Sequence, residues 1–241
     1  MPDRRSHRGA HPEDERLFAQ EKVPDLQAAM ADYCLLLTKG YAQRSSLKLV
    51  GDKFALTQRQ RLALMRSGCS DQQLALRQKK CLSVIELADQ EIAIDGYNLL
   101  ITVEAALAGG VIFEGHDGSY RDLASIHGTY RKVSETIPAV RLIGEFIEEA
   151  HTAKVQWLLD KPVSNSGHLK KLISELAREH GWDWEVELVM SPDAVLVRSE
   201  AIVVSSDSVI LDGCKVWTNL ARWIIAERVK ECWLVDLVGS D

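Results

Sequence analysis

The 241 residues include 46% hydrophobic and 27% charged side chains, proportions of a folded chain that exclude wholesale disorder, and no apolar run approaches the roughly 20 residues that span a bilayer. Five scattered cysteines (Cys34, Cys69, Cys81, Cys214 and Cys232) form no C-x-x-C pair, which fits a reducing cytoplasm and argues against a disulfide framework or a zinc ribbon. The net charge of −6 speaks against a nucleic-acid partner only when taken whole: residues 1–89 carry 15 Lys+Arg against 11 Asp+Glu, and residues 90–241 carry 14 against 24.

Residues 1–19 read as a flexible tail, because MPDRRSHRGAHPEDER carries charge without the apolar core of a secretory signal. From Asp25 the residues Leu26, Ala29, Met30, Tyr33, Cys34 and Leu37 recur at helical spacing, and Lys39-Gly40 predicts the stop. A Gly51-Asp52 turn follows. Thr57 is the expected N-cap of a helix bearing Arg59, Arg61 and Arg66, and Ser70 or Asp71 caps another through residue 80. Residues 20–88 are therefore expected to form a small basic α-helical domain; its stretch 39–80 holds ten basic residues and two acids, Asp52 and Asp71.

After residue 90 the pattern changes. EIAID (91–95) is a short apolar run, a helical pattern follows to Ala108, and Gly109-Gly110 ends it. Helical stretches are expected near 121–133 and 138–151, strands at 154–160, 184–190, 201–207 and 231–238, and helices at 167–181, closed by Gly181, and at 217–228. Strands alternating with helices predict an α/β domain over residues 89–241 with a mainly parallel sheet covered on both faces.

In such sheets the binding crevice lies beyond the carboxyl ends of the strands. Asp95, Asp160 and Asp207 each end a predicted strand, and Asp193 follows another by three residues. One such aspartate is most simply a helix cap. Several on one edge need a further reason, because a carboxylate pair ~4 Å apart costs about 4 kcal/mol at an effective dielectric of ~20. A divalent cation removes that penalty, and Mg²⁺ or Mn²⁺ prefers oxygen ligands. Asn98 opens the helix after Asp95 and is positioned to orient a carboxylate or a water, with Gly96 allowing close backbone approach. Glu104 either reaches the crevice or faces solvent.

IDGYNLL (94–100) after an apolar strand, together with Ser205-Ser206-Asp207-Ser208 ending a later one, resembles the PIN-like nuclease superfamily and its NYN branch in particular. The likeness covers roughly residues 90–238. It implies a Rossmann-like three-layer α/β/α fold with an acidic metal site that hydrolyses RNA. Asp95, Asn98 and Asp207 match its motifs, and Asp193 in SPDAVLV resembles a further ligand of the set. On this resemblance Asp95, Asn98, Asp193 and Asp207 are catalytic. Asp95, Asp193 and Asp207 hold Mg²⁺ or Mn²⁺, Asp160 is a further or outer ligand, and Ser205 or Ser206 supports a carboxylate or a phosphate. The Ser-x-Asp motif often has a second acid two residues on; here that place is Val209, and the nearest later acid is Asp212. The basic helical segment together with the C-terminal half also resembles an uncharacterised prokaryotic family.

RNA is the expected partner. Arg44, Lys48, Lys53, Arg59, Arg61 and Arg66 either grip its phosphates or dock the helical part onto its acidic neighbour, and Tyr41 and Phe54 are placed to stack on bases. A second candidate contact is Tyr120, Arg121, His127, Tyr130, Arg131 and Lys132. A cytoplasmic location without a membrane partner follows from the composition, and a homodimer is left open. Tyr97 occupies the place where a haloacid dehalogenase phosphatase needs its second Asp, and there is no phosphate-binding G-x-x-x-x-G-K-[ST] loop. The rival reading is a catalytically weak PIN-like module that binds RNA or protein.

Overall fold

The computed structural model describes residues 7–124 and 128–239. Five helices lead: α1 (Asp14–Leu17), α2 (Val23–Thr38), α3 (Gln43–Lys53), α4 (Gln58–Ser67) and α5 (Asp71–Lys80). Gly40, just beyond α2, takes φ +80°, a left-handed conformation that glycine adopts without strain. Thr57 and Ser70 cap α4 and α5 through reciprocal bonds with Gln60 and Gln73. Gly51-Asp52 is not a turn. The pair lies inside α3, where the missing side chain of Gly51 lets the Arg61 guanidinium cross the helix.

Nor are residues 14–19 a free tail. Leu17 and Phe18 are buried, and Phe18 meets the Phe113 ring edge-on at 4.8 Å. Asp14 is buried as well, with its carboxylate on Arg59. An apolar pair beside an acid that satisfies a half-buried arginine pins this segment to the body.

The rest of the chain runs β1 (Cys81–Leu82), β2 (Glu91–Asp95), α6 (Gly96–Leu107), β3 (Val111–Glu114), β4 (Tyr120–Arg121), α7 (Thr136–Glu149), β5 (Lys154–Asp160) and α8 (Ser166–His180). It continues through β6 (Trp184–Val189), α9 (Pro192–Leu196), β7 (Ile202–Val204), α10 (Ser208–Gly213), β8 (Trp217–Thr218), α11 (Leu220–Arg228) and β9 (Trp233–Asp236). Six strands form one sheet in the order β1-β8-β7-β2-β5-β6, each neighbouring pair parallel. Alternation sorts their side chains. Ile92, Ile94, Val155, Trp157, Leu159, Ile202 and Val204 join α6, α7, α8 and α11 in one core, while Ala93, Leu158 and Val203 meet α9, α10 and Trp217 on the other face.

A second, three-stranded sheet has the order β4-β3-β9. The C-terminal strand belongs to it rather than to the main sheet, and β3, a run of four residues, is too short to announce itself by alternation. The stretch expected to be helical near 121–133 instead opens as a strand at Tyr120–Arg121 and continues without helix among its described residues. The helical region and this small sheet share one core: Leu26, Met30 and Leu64 cluster with Val111, Phe113, Val235 and Leu237. Among the described residues no helix is long and apolar enough to cross a membrane.

The topology selects one place in the main sheet. From β2 the chain passes to β5 on one side and later returns to β7 on the other. The carboxyl ends of β2 and β7 therefore flank a topological switch point, where open parallel sheets form their crevices.

Candidate functional site

Asp95 ends β2 and is buried. The Ser205 hydroxyl donates to its Oδ2 at 2.8 Å, and Ser205 Oγ accepts the Asp207 backbone N–H at 3.0 Å. Asn98 Oδ1 accepts from both the N–H and the hydroxyl of Ser206, at 2.8 and 3.0 Å. The opening of α6 and the loop after β7 are thus laced together by short polar side chains. Gly96 makes its close approach to β5: a Cβ there would lie 2.9 Å from the Leu158 carbonyl oxygen.

Burial pushes the Asp95 carboxyl up to about 7; hydrogen bonds from Ser205 and the Asn98 backbone oppose this, and the charges of Asp207 and Asp193 add to it. Burial likewise raises Asp193, reinforced by Asp207, and raises Asp160, reinforced by Asp193. The four acids therefore stand in one another's field. Among the described residues none of them has an ion pair with a basic side chain. Their exposure differs: Asp95 is buried, Asp160 and Asp207 half-buried, and Asp193 exposed. Asp207 also caps α10, its Oδ1 accepting the N–H of Val209 at 2.8 Å and of Ile210 at 3.3 Å. Among the described residues no group of three or more His, Cys, Asp or Glu side chains is already gathered to hold a metal ion. The donor chemistry, carboxylate oxygens without a basic partner, is that of a hard divalent cation.

Behind the loop after β7 lies a buried ionic network that sequence spacing does not reveal. Arg121 donates to both carboxylate oxygens of Asp117 at 2.7 Å and to the Ser206 carbonyl at 2.9 Å. Arg77 of α5 donates to Asp117 at 2.6 Å and to Asp212 at 2.7 Å, and reaches the Ser208 carbonyl at 3.4 Å. Burial would raise the Asp117 carboxyl, but the Arg121 and Arg77 guanidiniums outweigh it and hold the group well below the usual carboxylate range. Asp212 therefore serves this network rather than the acid cluster. Asp117 and Arg121 are four residues apart across the β3–β4 hairpin, whereas Arg77 comes from forty residues earlier, so no local motif joins them.

The other expected contacts separate clearly. Glu104 neither reaches the crevice nor faces solvent: it is buried, and its carboxylate is held by the Tyr130 hydroxyl at 2.5 Å, by Thr136 at 2.6 Å and by Arg8. Burial raises its pKa, with Arg8 opposing. Tyr120, Arg121 and Tyr130 are buried and offer no open face to RNA. Arg131 and Lys132 are exposed, and His127 lies outside the described residues. In the helical region Arg59 is committed to Asp14, Lys48 and Arg61 to Asp52, and Lys53 to Asp32. Arg66 donates to the carbonyls of Asp122 and Ala124. Arg44 is exposed and has no ion pair among the described residues. Tyr41 is exposed, whereas Phe54 is half-buried beneath the Lys53 ammonium.

A cleft of about 470 Å³ opens between α4 and the acid-bearing edge. Met65 and Arg66 line it from α4, Tyr97, Asn98 and Ile101 from α6, and Ser206 to Val209 from the loop after β7. The helical region is therefore one wall of the cleft.

Two family models match the chain. A domain of unknown function, DUF5616, covers residues 84–223, and a protein of unknown function, DUF434, covers residues 25–80. The join between them falls where α5 gives way to β1. The uncharacterized protein MJ0935 of Methanocaldococcus jannaschii is 31% identical over 215 residues, spanning 89% of this chain and 95% of that relative. No solved structure matches. The chain belongs to the DUF5616 family.

Proposed function

We propose that this member of the family is a metal-dependent ribonuclease of PIN-like type, hydrolysing phosphodiester bonds at the carboxyl edge of its main sheet. The observation that carries the reading is Asp95: a carboxyl pushed up to about 7 by burial and by two neighbouring acids, at the switch point of a parallel sheet, with no basic side chain paired to it among the described residues. Asp95, Asp207 and Asp193 would hold Mg²⁺ or Mn²⁺, with Asp160 as a further oxygen donor. A bound cation of this kind polarises a phosphoryl oxygen and lowers the pKa of a water. The chain's own part is positional. Ser205 fixes one oxygen of Asp95, Asn98 holds the Ser206 backbone, and Arg121 pulls on the same residue from behind through its carbonyl.

The test is cleavage of RNA by the purified full-length protein with Mn²⁺ or Mg²⁺. Activity is expected to vanish with EDTA and with Asp95→Asn. If wild type and variant degrade the same RNA panel equally, the activity is a contaminant and the reading fails.

Val209 favours the second reading, an RNA-binding module without turnover. It stands at the cleft where related motifs often carry an acid, and it is exposed. That reading predicts RNA retention at all metal concentrations without product.

A further inference from the structure

The cleft beside Asp207 has a chemistry of its own. Its volume, about 470 Å³, falls in the ~300–1,000 Å³ range of small-ligand pockets. Met65, Ile101 and Val209 supply apolar lining, and Asn98 and Asp207 polar lining. Tyr97 lines the same cleft and is only 3% exposed, yet its hydroxyl has no hydrogen-bond partner among the described residues. Buried hydroxyls are seldom left so. Tyr97 immediately follows Asp95-Gly96 and lies within the field of Asp160, so the unpaired group sits close to the acids.

A ligand that satisfies this surface has a flat apolar body, a hydrogen-bonding edge, and an extension toward the carboxylates. Each nucleobase carries such an edge and a stackable face. A base paired and stacked inside a duplex cannot enter a cleft of this size, whereas an unpaired base can be splayed into it.

We infer that the cleft between α4 and the sheet edge is a pocket for one unpaired nucleobase of single-stranded RNA, lying against Met65, Ile101 and Tyr97 and hydrogen-bonding the Tyr97 hydroxyl. The inference rests on the ribonuclease reading for the choice of RNA, and it gives the helical region a share in the site through Met65.

The experiment is calorimetric titration of the full-length protein with the four ribonucleoside monophosphates and with ribose 5-phosphate, which lacks the base. At least one nucleotide is expected to bind about tenfold more tightly than ribose 5-phosphate. Met65→Trp, which fills the cleft, abolishes that difference. Tyr97→Phe weakens nucleotide binding several-fold while raising the melting temperature of the free protein, because it removes an unpaired buried hydroxyl. A tyrosine with a merely structural role would leave nucleotide binding and the base preference unchanged in Tyr97→Phe. The pocket is overturned if ribose 5-phosphate matches every nucleotide, or if none binds up to about 10 mM. Metal-dependent RNA cleavage alongside that result leaves the ribonuclease reading standing without the pocket. Base-dependent nucleotide binding without RNA cleavage keeps the pocket and removes the ribonuclease.

Discussion

Two buried aspartates flank the same loop and live in opposite electrostatic worlds. Asp95 and Asp117 are both withdrawn from water, and burial pushes both carboxyls upward. At Asp117 two guanidiniums close the account, donating to both carboxylate oxygens and holding the group ionised. At Asp95 the neighbours are a serine hydroxyl, a backbone N–H and two more acids, and the carboxyl rises to about 7. Burial therefore does not by itself set the direction of a buried carboxyl's pKa; the charge of the partners does. Among the described residues, Asp117 is matched by two guanidiniums, whereas Asp95 has no ion pair with a basic side chain.

The largest effect is expected at the completed centre. Asp117→Ala leaves Arg77 and Arg121 buried without their shared acid, and breaking a buried ion pair from one side costs about 3–5 kcal/mol. The melting temperature should fall by roughly 2–4 °C for each of those kcal/mol. The pH dependence follows from the depressed Asp117 pKa. Its contribution is fully present above the carboxyl's unfolded pKa and is lost as pH falls through the lower folded value. Wild type should therefore lose stability in acid more steeply than Asp117→Asn, a comparison read from thermal denaturation between pH 7 and pH 2. Equal acid slopes would mean that Asp117 is not the charged hub of this network.

Asp95 carries the opposite sign. Its folded pKa of about 7 lies above the ordinary value of 3.8, so the folded state holds the proton more tightly than the unfolded chain does. The stability linked to that proton is full below about pH 4 and is lost as pH rises through 7. Asp95→Asn does not titrate and still accepts from Ser205. In metal-free buffer it should match wild type near pH 4 and be the more stable protein above pH 7, by at most about 4 kcal/mol. Added Mn²⁺ should reverse the order, because only wild type gains binding energy from the ion. A variant that is less stable than wild type at pH 8 without metal would show that Asp95 is not a strained carboxylate.

How much of this contrast was legible in the sequence depends on the range of the contacts. Period-two runs such as Lys154–Asp160 and the glycine stop after α2 are local signals, and they placed the main sheet and its helices. The acids Asp95, Asp160, Asp193 and Asp207 stand out because strand ends fall at one edge of a parallel sheet. Ser205 and Asn98 were legible as part of the same motifs. The pairing of Arg77 with Asp117, or of Asp14 with Arg59, joins segments about forty residues apart, and no spacing rule carries that information. For the same reason Arg121 and Tyr130 resemble surface contacts in the sequence and are buried in the fold. The second sheet stayed hidden because β3 and β4 hold four and two residues, too few for a period to register.

The smallest effects test the same distinction on the surface. Arg59 has its partner in buried Asp14, whereas exposed Arg44 has no ion pair among the described residues. If paired charges serve the fold and unpaired ones the ligand, the two alanine variants should fail in different assays. Arg59→Ala should lower the melting temperature and leave the salt dependence of RNA binding unchanged. Arg44→Ala should melt like wild type but lower the slope of log K against log salt by about 0.7, the increment for one single-strand phosphate contact. At a fixed salt concentration that is a loss of only a few-fold, so the slope is the measurement to make. A slope unchanged in Arg44→Ala would place the RNA path away from α3 and leave its phosphates to other exposed bases, such as Arg131 and Lys132.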